Sequence, residues 1–294
     1  LVGSEMCIRD REIPAAWKGK RIFLYFERTH WLSSVYVGKE EVSKIDYISI
    51  PHNHELTQWL HPGKKELITF CIDNRYQYDT HKWDHAHSEF TQINWNGVLG
   101  EIKLVAVDPV YVDDMQVYPD IKNKSIKVKM TVRNCTEHTA SGKISFHVTG
   151  KDYRLQKEVP VTVTDSITYI EEEMFLGKDI HLWNEFHPNL YTLDCKLTSS
   201  VDGQSYAHEK STTFGMREVE AGEDHIILNG EPIHLRGTVE NAVFPKTGYA
   251  PVDDASWERV LRILKEYGMN HMRFHSWCPP AAAFRMADKL GVYL

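Results

Sequence analysis

A charged side chain and a titratable one lie two positions apart in a strand pattern near the end of the sequence. In residues 269–275, Met272 and Phe274 fall on one face of the predicted strand, and Arg273 and His275 fall on the other. Helix patterns on both sides favour a parallel strand whose apolar face is covered by helices, so that Arg273 and His275 face the interior of a barrel. Burying such groups costs free energy unless each is paired or functional. We therefore expect an interior salt bridge at Arg273. We expect a site residue at His275, because barrel enzymes hold their active sites at the carboxyl ends of their strands.

A single carboxylate, Glu240, follows the preceding predicted strand. Acid–base catalysis by carboxylates uses two groups whose environments separate their pKa values, and Glu240 has no such companion in the sequence pattern. We interpret Glu240 as a loop carboxylate, or as the ion-pair partner of Arg273, in preference to a catalytic acid or base. No catalytic residue is assigned to this chain.

Three histidines, His81, His85 and His87, lie close together, and the last two share a face if the segment is a strand. Imidazole is a common metal ligand, but the neighbourhood lacks a matching set of carboxylates or cysteines. We therefore favour a solvated loop over a metal site, and we predict neither a metal nor a cofactor. The five cysteines are dispersed without a C-x-x-C pair, which argues against a structural zinc site and a disulfide framework.

The elements that precede these residues are predicted to be β-structure. Period-2 patterns separated by Gly, Pro and Asn clusters in residues 20–109 indicate a β-sandwich. Residues 110–214 contain seven further strand patterns, the number typical of an immunoglobulin-like sandwich. From Asn229 the pattern changes to strand, helix, strand and helix, after a hairpin turn at Asn229-Gly230. A third strand pattern is starting where the sequence ends, which suggests an α/β barrel interrupted after two strands.

Length and charge narrow the class of protein. The 294 residues carry a formal net charge of -7, which argues against a nucleic acid or an anionic membrane as partner. No run reaches the roughly 18 apolar residues that indicate a membrane helix. A chain of this length is expected to form two or three domains. Residues 1–10 match no pattern that follows them, and we interpret them as a non-native scar outside the fold.

A series of motifs follows a fixed order along the chain. Toward the end these are Phe214-Gly215-Met216-Arg217, Leu228-Asn229-Gly230-Glu231-Pro232, Leu235-Arg236-Gly237, Asn270-His271-Met272-Arg273-Phe274-His275-Ser276-Trp277 and Ala287-Asp288-Lys289-Leu290-Gly291-Val292-Tyr293. Upstream are Trp17-Lys18-Gly19-Lys20-Arg21, Val35-Tyr36-Val37, Asn94-Trp95-Asn96-Gly97-Val98-Leu99-Gly100 and the stretch from Trp183 to Leu190-Tyr191. Together they resemble glycoside hydrolase family 2, the family of β-galactosidases, β-glucuronidases and β-mannosidases.

The resemblance implies a multidomain fold. Residues 11–109 would be a sugar-binding jelly-roll β-sandwich with an incomplete start, and residues 110–217 an immunoglobulin-like β-sandwich. Residues 218–294 would be the first strands and helices of a truncated (β/α)8 TIM barrel, the catalytic domain of the family.

The resemblance also implies an activity. The enzymes of this family are retaining glycosidases, in which two carboxylates about 5–5.5 Å apart act as acid/base and nucleophile. In the family both are glutamates from later barrel strands, beyond Leu294. We therefore expect a fragment, inactive by itself, of an exo-glycosidase that hydrolyses terminal β-linked sugars from oligosaccharides or glycoconjugates.

The resemblance suggests sugar contacts within this chain. The family pattern R-x-x-H-Y-P has a substrate-contacting histidine; here His275 comes one position early and Trp277 replaces the tyrosine. Sugar contact and an internal hydrogen bond are equal alternatives for His275, as are ring stacking and rim packing for Trp277.

A jelly-roll loop that reaches the site in the family carries an acidic residue, which this sequence lacks. Gln92 and Asn94 could hydrogen-bond sugar hydroxyls in its place. The predicted substrate-binding set is therefore His275, Trp277, Gln92, Asn94, Glu240 and Arg273.

A non-catalytic carbohydrate-binding or adhesion protein is the alternative. It would explain the β-rich first 214 residues equally well, because sandwiches serve many functions. It would not explain the strand–helix–strand pattern that follows.

A homo-oligomer is an expectation for the full-length protein only, and a periplasmic or secreted location is favoured over a cytoplasmic one.

Overall fold

Strands form most of the regular structure in the computed structural model, which describes residues 4–75, 77–79, 82–85, 87–91 and 95–294, with the backbone alone for residues 4–11. The chain divides into two compact units. The first unit contains the described residues up to Ala106, together with Gly237–Met286 and Leu294. The second unit contains Val107–Arg236 and Ala287–Tyr293.

The first unit begins with two sheets that we call the first sandwich. Its strands are β1 (Ser4–Glu12), β2 (Arg21–His30), β3 (Leu32–Val37), β4 (Glu40–Ile45), β5 (His52–Glu55), β6 (Lys65–Asp73) and β7 (Gly97–Val107). The strand orders are β1-β6-β3-β4 and β5-β2-β7. Alternate residues of β2 are buried in the core, where Phe26 packs on Phe70 of β6 with ring centroids 4.9 Å apart. The β-structure predicted for residues 20–109 is confirmed.

Residues 4–10, which the sequence analysis set aside, lie in strand β1. This strand pairs antiparallel with β6, with Ser4 opposite Asp73 and Glu12 opposite Lys65. The backbone of this segment therefore forms an edge of the first sandwich.

The second unit contains the second sandwich. Its strands are β8 (Val110–Asp120), β9 (Ser125–Asn134), β10 (Ala140–Thr149), β11 (Arg154–Val163), β12 (Ile167–Phe175), β13 (Tyr191–Val201) and β14 (Gln204–Phe214). The sheets have the orders β11-β10-β13-β14 and β12-β9-β8, and both contribute to one apolar core. All seven predicted strands are present. The boundary between the predicted domains at residues 109 and 110 remains a prediction.

A small antiparallel sheet follows the second sandwich. It consists of β15 (Val219–Ala221), β16 (Ile226–Leu228) and β17 (Glu231–Ile233). Asn229 and Gly230 join β16 to β17 with φ angles of 55° and 86°. These positive values are the left-handed conformation that a tight hairpin turn requires, which confirms the predicted turn.

One strand–helix–strand unit returns the chain to the first unit. Strand β18 (Gly237–Glu240) lies parallel to β19 (His271–Phe274), and helix α1 (Asp254–Glu266) connects them. Asp253 caps α1 by accepting a hydrogen bond from the Ser256 amide at 2.8 Å. Helix α2 (Ala281–Leu290) follows β19. No helix within the described residues is long and apolar enough to cross a membrane.

Candidate functional site

The carboxyl ends of β18 and β19 meet at Glu240 and His275. The backbone carbonyl of Glu240 accepts hydrogen bonds from the His275 amide at 2.9 Å and from the Trp277 indole nitrogen at 3.1 Å. Ser276 lies between these donors with a φ angle of 60°, so the chain turns sharply here. The backbone at the end of β18 thus fixes the positions of both His275 and Trp277.

The predicted alternation along β19 is present. Met272 is buried, whereas Arg273 is exposed. Phe274 packs against Trp257 of α1 with ring centroids 5.8 Å apart, so the apolar face lies against the helix. The predicted pairing of Arg273 with Glu240 is wrong, because Arg273 forms no ion pair with Glu240 or with any other residue that the structure describes. The interior salt bridge at Arg273 stays a prediction.

Glu240 occupies an environment that favours a neutral carboxyl group. Burial raises its pKa, and the backbone amides of residues 241–243 partly offset this effect. Its Oε1 accepts a weak hydrogen bond from the Val243 amide at 3.4 Å, whereas Oε2 is buried without a partner among the described residues. A buried carboxyl oxygen without a protein partner can bind a ligand hydroxyl.

A segment between β6 and β7 brings a second histidine to His275. His85 Nδ1 lies 3.2 Å from His275 Nδ1, and the two rings are nearly perpendicular with centroids 4.9 Å apart. At this separation one nitrogen can donate to the other, and which ring donates depends on the tautomers of the two histidines. The solvated loop predicted for this segment is therefore wrong at His85 and His87, which are 8% and 6% exposed. His81 lies outside the described residues.

Ser88 stabilises the segment between β6 and β7 by local hydrogen bonds to backbone carbonyls. Its hydroxyl donates to the Lys82 carbonyl at 2.7 Å, and its amide donates to the Asp84 carbonyl at 2.8 Å. These local bonds connect Ser88 to Lys82 and Asp84 in a turn. The resulting turn directs His85 toward β19.

A third histidine, His30 of β2, contacts Trp95, which lies just before β7. Its Nδ1 donates to the Trp95 carbonyl at 2.6 Å, and its ring packs against the Trp95 ring with centroids 5.0 Å apart. Burial lowers the pKa of His30 to about 4 and that of His87 to about 3, so both are neutral near pH 7. The His87 ring meets the His30 ring edge-on with centroids 5.2 Å apart.

Aromatic rings line the same region. The Trp277 ring is nearly perpendicular to the rings of Phe244 and Phe274, with centroids 6.1 and 5.2 Å apart. Trp95 and Ala242 are buried in the same apolar cluster, and Trp277 packs partly buried against it. Trp277 is therefore held in a fixed orientation while part of it stays accessible.

Four of the six predicted sugar-binding residues are described, and three of them come together. Glu240, His275 and Trp277 share hydrogen bonds, whereas Arg273 is exposed and unpaired within the described ranges. Gln92 and Asn94 lie outside the described residues. No group of three or more His, Cys, Asp or Glu side chains placed to hold a metal ion occurs in the part of the chain that the structure describes.

Arg28 and His30 were not among the site residues predicted from the sequence. Ile22, Leu24 and Phe26 of β2 are buried in the sandwich core, and the same face continues with Arg28 and His30. A change from apolar to polar residues on one strand face was visible in the sequence. It marks where this face leaves the core.

Comparisons with known proteins agree with the motifs. Residues 110–217, which contain the whole second sandwich, match the family described as glycosyl hydrolases family 2. The β-galactosidase of Thermoanaerobacter pseudethanolicus is 22% identical over 287 residues, which are 96% of this chain and 37% of that protein. The β-galactosidase of Actinobacillus pleuropneumoniae is 26% identical over 297 residues, which are 98% of this chain and 26% of that protein.

Solved structures have the same fold. A crystal structure of a Bacteroides uniformis β-glucuronidase superposes with a TM-score of 0.82 at 19% identity, covering 99% of this chain and 36% of that chain. A Dictyoglomus thermophilum β-D-glucuronidase gives a TM-score of 0.73 at 20% identity, covering 100% of this chain and 50% of that chain. The predicted resemblance to glycoside hydrolase family 2 is thereby confirmed. The chain spans 26% to 37% of the length of the two curated relatives.

Proposed function

We propose that this chain forms part of the sugar-binding site of a family 2 exo-glycosidase. The observation that carries the proposal is the meeting of His85 with His275, 190 positions apart, beside Glu240 and Trp277. A segment of the first sandwich and the carboxyl ends of two parallel strands contribute to one site. Such a site at strand ends is where barrel enzymes bind substrate.

The side chains suit a sugar ring with several hydroxyl groups. An imidazole pair offers both a donor and an acceptor, and the neutral form of Glu240 offers a hydroxyl donor. The partly accessible indole of Trp277 can present a flat apolar surface to a sugar ring. We infer that the terminal β-linked sugar of an oligosaccharide or glycoconjugate binds against Trp277, with hydroxyls near Glu240 and His275.

We further propose that β18 and β19 begin a (β/α)8 barrel whose later strands supply the catalytic pair. A retaining mechanism needs two carboxylates about 5–5.5 Å apart. Glu240 is the one carboxylate that we place at the site among the described residues. The chain by itself is therefore expected to bind sugar without hydrolysing its glycosidic bond.

Binding and turnover can be measured separately on the purified chain. We expect saturation-transfer NMR to detect binding of methyl β-galactoside or methyl β-glucuronide, and Trp277→Ala to reduce the signal at least about fivefold. Phe186→Ala is the matched control, because Phe186 is 77% exposed in the second unit. Equal loss in both variants, or no binding to any β-glycoside, would contradict the proposed site.

Turnover is tested with 4-nitrophenyl β-galactoside, β-glucuronide and β-mannoside. No release of nitrophenol above the buffer rate is expected. Release that disappears in Glu240→Gln would show that this chain carries catalytic machinery, against the proposal.

A further inference from the structure

One face of strand β2 changes from apolar to polar side chains along its length. Ile22, Leu24 and Phe26 are 1%, 4% and 0% exposed and face the core of the first sandwich. Two positions further along the same face is Arg28, and two beyond it is the fully buried His30. The strand therefore continues as a rigid extension of the core into the region of the candidate site.

Arg28 contacts the segment that follows β19. Its two terminal guanidinium nitrogens donate to the carbonyl oxygens of Cys278 and Pro279 at 2.7 and 2.9 Å. These carbonyls belong to consecutive residues directly after Trp277 and before α2. Two donors in a fixed planar fork restrain both the position and the direction of this short segment.

The segment that Arg28 contacts is short and is held by hydrogen bonds at both of its ends. At its other end the segment is held by the His275 and Trp277 hydrogen bonds to the Glu240 carbonyl. Pro279 and Pro280 are buried and lack amide donors, so this part of the backbone cannot stabilise itself through its own N–H groups. Arg28 supplies two hydrogen bonds to carbonyls in a segment that is poor in donors.

We propose that Arg28 is a positioning residue, which holds residues 275–279 so that His275 and Trp277 keep the geometry of the sugar site. Arg28 acts through two backbone carbonyls and does not itself touch the sugar. This inference rests on the proposed function for its consequence, but the restraint itself can be measured without any sugar.

Hydrogen–deuterium exchange resolves whether the restraint is local. Amide exchange is compared in the wild-type chain, Arg28→Met, Arg28→Lys and the control Arg21→Met. Arg21 is on the same strand and pairs with Glu55 at the surface. We expect Arg28→Met to accelerate exchange of amides 275–278 at least about tenfold, which corresponds to about 1.4 kcal/mol, with little change in the core strands β3 and β6. Lysine retains the charge but lacks the planar fork, so Arg28→Lys should give a smaller acceleration at the same amides.

Three exchange results would contradict the positioning role of Arg28. Unchanged exchange of amides 275–278 in Arg28→Met, or equal acceleration there and in β3 and β6 in Arg28→Lys, would overturn the proposal. If Arg28→Met unfolds the first sandwich, Arg28→Lys decides by the same comparison. Arg21→Met should leave exchange at 275–278 unchanged, and acceleration there would equally count against a specific role for Arg28.

Sugar binding gives the functional consequence. If the wild-type chain binds methyl β-galactoside or methyl β-glucuronide, Arg28→Met should weaken binding about tenfold, and Arg28→Lys should recover part of it. If the wild-type chain binds neither glycoside, the proposed function fails, whereas the exchange data still decide whether Arg28 restrains residues 275–279.

Discussion

At the scale of single residues, Glu240 is the group whose ionisation is most informative. Its pKa is raised by burial, so between the ordinary value of 4.5 and the raised value the folded chain retains a proton that the unfolded chain has lost. The stabilising contribution is therefore complete below pH 4.5 and disappears as the pH rises through the raised pKa. Above that window the folded chain contains a buried carboxylate with one unpartnered oxygen.

Glu240→Gln should therefore stabilise the chain at neutral pH. Glutamine keeps the shape and the polar atoms without the charge, so we expect the melting temperature at pH 7 to rise by about 2 °C, as for about 1 kcal/mol or less in a chain of this size. At pH 4 the two proteins should melt at nearly the same temperature. Calorimetry at both pH values measures this, and a melting temperature lowered at pH 7 would show that the carboxylate has a stabilising partner.

At the scale of elements, a buried hydrogen-bond chain joins the two sheets of the first sandwich. His52 and His54 lie on β5, whereas Ser33 and Ser43 lie on β3 and β4 of the other sheet. His52 Nε2 donates to the Tyr47 carbonyl at 2.9 Å, so its Nδ1 accepts from the Ser33 hydroxyl at 2.6 Å. Ser33 in turn accepts from His54 Nε2 at 2.8 Å, which leaves His54 Nδ1 to accept from Ser43 at 2.8 Å. Each member of the chain donates to the next, from Ser43 to the Tyr47 carbonyl. Both imidazoles are neutral in this arrangement, because each accepts a hydrogen bond at Nδ1.

The first sandwich should therefore lose stability in acid. Burial lowers the pKa of His54 to about 3. Burial also lowers the pKa of His52, and the hydrogen bond to the Tyr47 carbonyl and the charge of Asp46 partly offset this effect. Below pH 6.5 the unfolded chain takes up protons that the folded chain does not, so stability is complete above pH 6.5 and falls as the pH approaches 3. The loss can reach about 1.4 kcal/mol per pH unit for each histidine. Urea unfolding between pH 7 and 4 measures it, and a flat profile would contradict the neutral chain.

Removing the central hydroxyl provides a second test of this chain. Ser33→Ala leaves a buried imidazole acceptor and a buried imidazole donor unpaired, so we expect a loss of about 1–3 kcal/mol in the free energy of unfolding. His61→Gln is the control, because His61 pairs with Glu66 at the surface. A cost below about 0.5 kcal/mol for Ser33→Ala would show that water or a rearrangement replaces the lost bonds.

The parallel pair that bears the site depends on one glycine. A Cβ atom at Gly237 would lie 2.4 Å from the backbone oxygen of His271, directly across the β18–β19 pair. We expect Gly237→Ala to separate the two strands, to lower stability by about 1–3 kcal/mol and to weaken sugar binding. Thr238→Ala is the neighbouring control. Unaltered binding in Gly237→Ala would show that the site does not depend on this pairing.

At the scale of the whole molecule, local patterns predicted more of the fold than of the site. The strands of both sandwiches, the Asn229-Gly230 turn and the faces of β19 follow from periodicity and turn chemistry, which depend on neighbouring residues. The contact of His85 with His275 joins residues 190 positions apart, and no local pattern contains it. The same limit applies to Arg273, because its pairing with Glu240 depended on side-chain directions that the sequence pattern does not contain.

Sugar binding where His85 meets His275 is the central proposal for this chain. With ¹³C- and ¹⁵N-labelled histidine, two-dimensional NMR can follow the imidazole resonances while methyl β-galactoside or methyl β-glucuronide is added. We expect the His275 and His85 signals, assigned by His→Gln variants, to shift in a saturable manner, while the signal of the exposed His147 on β10 stays fixed. Saturable shifts confined to other histidines, or none at His275 and His85 with either glycoside, would contradict it.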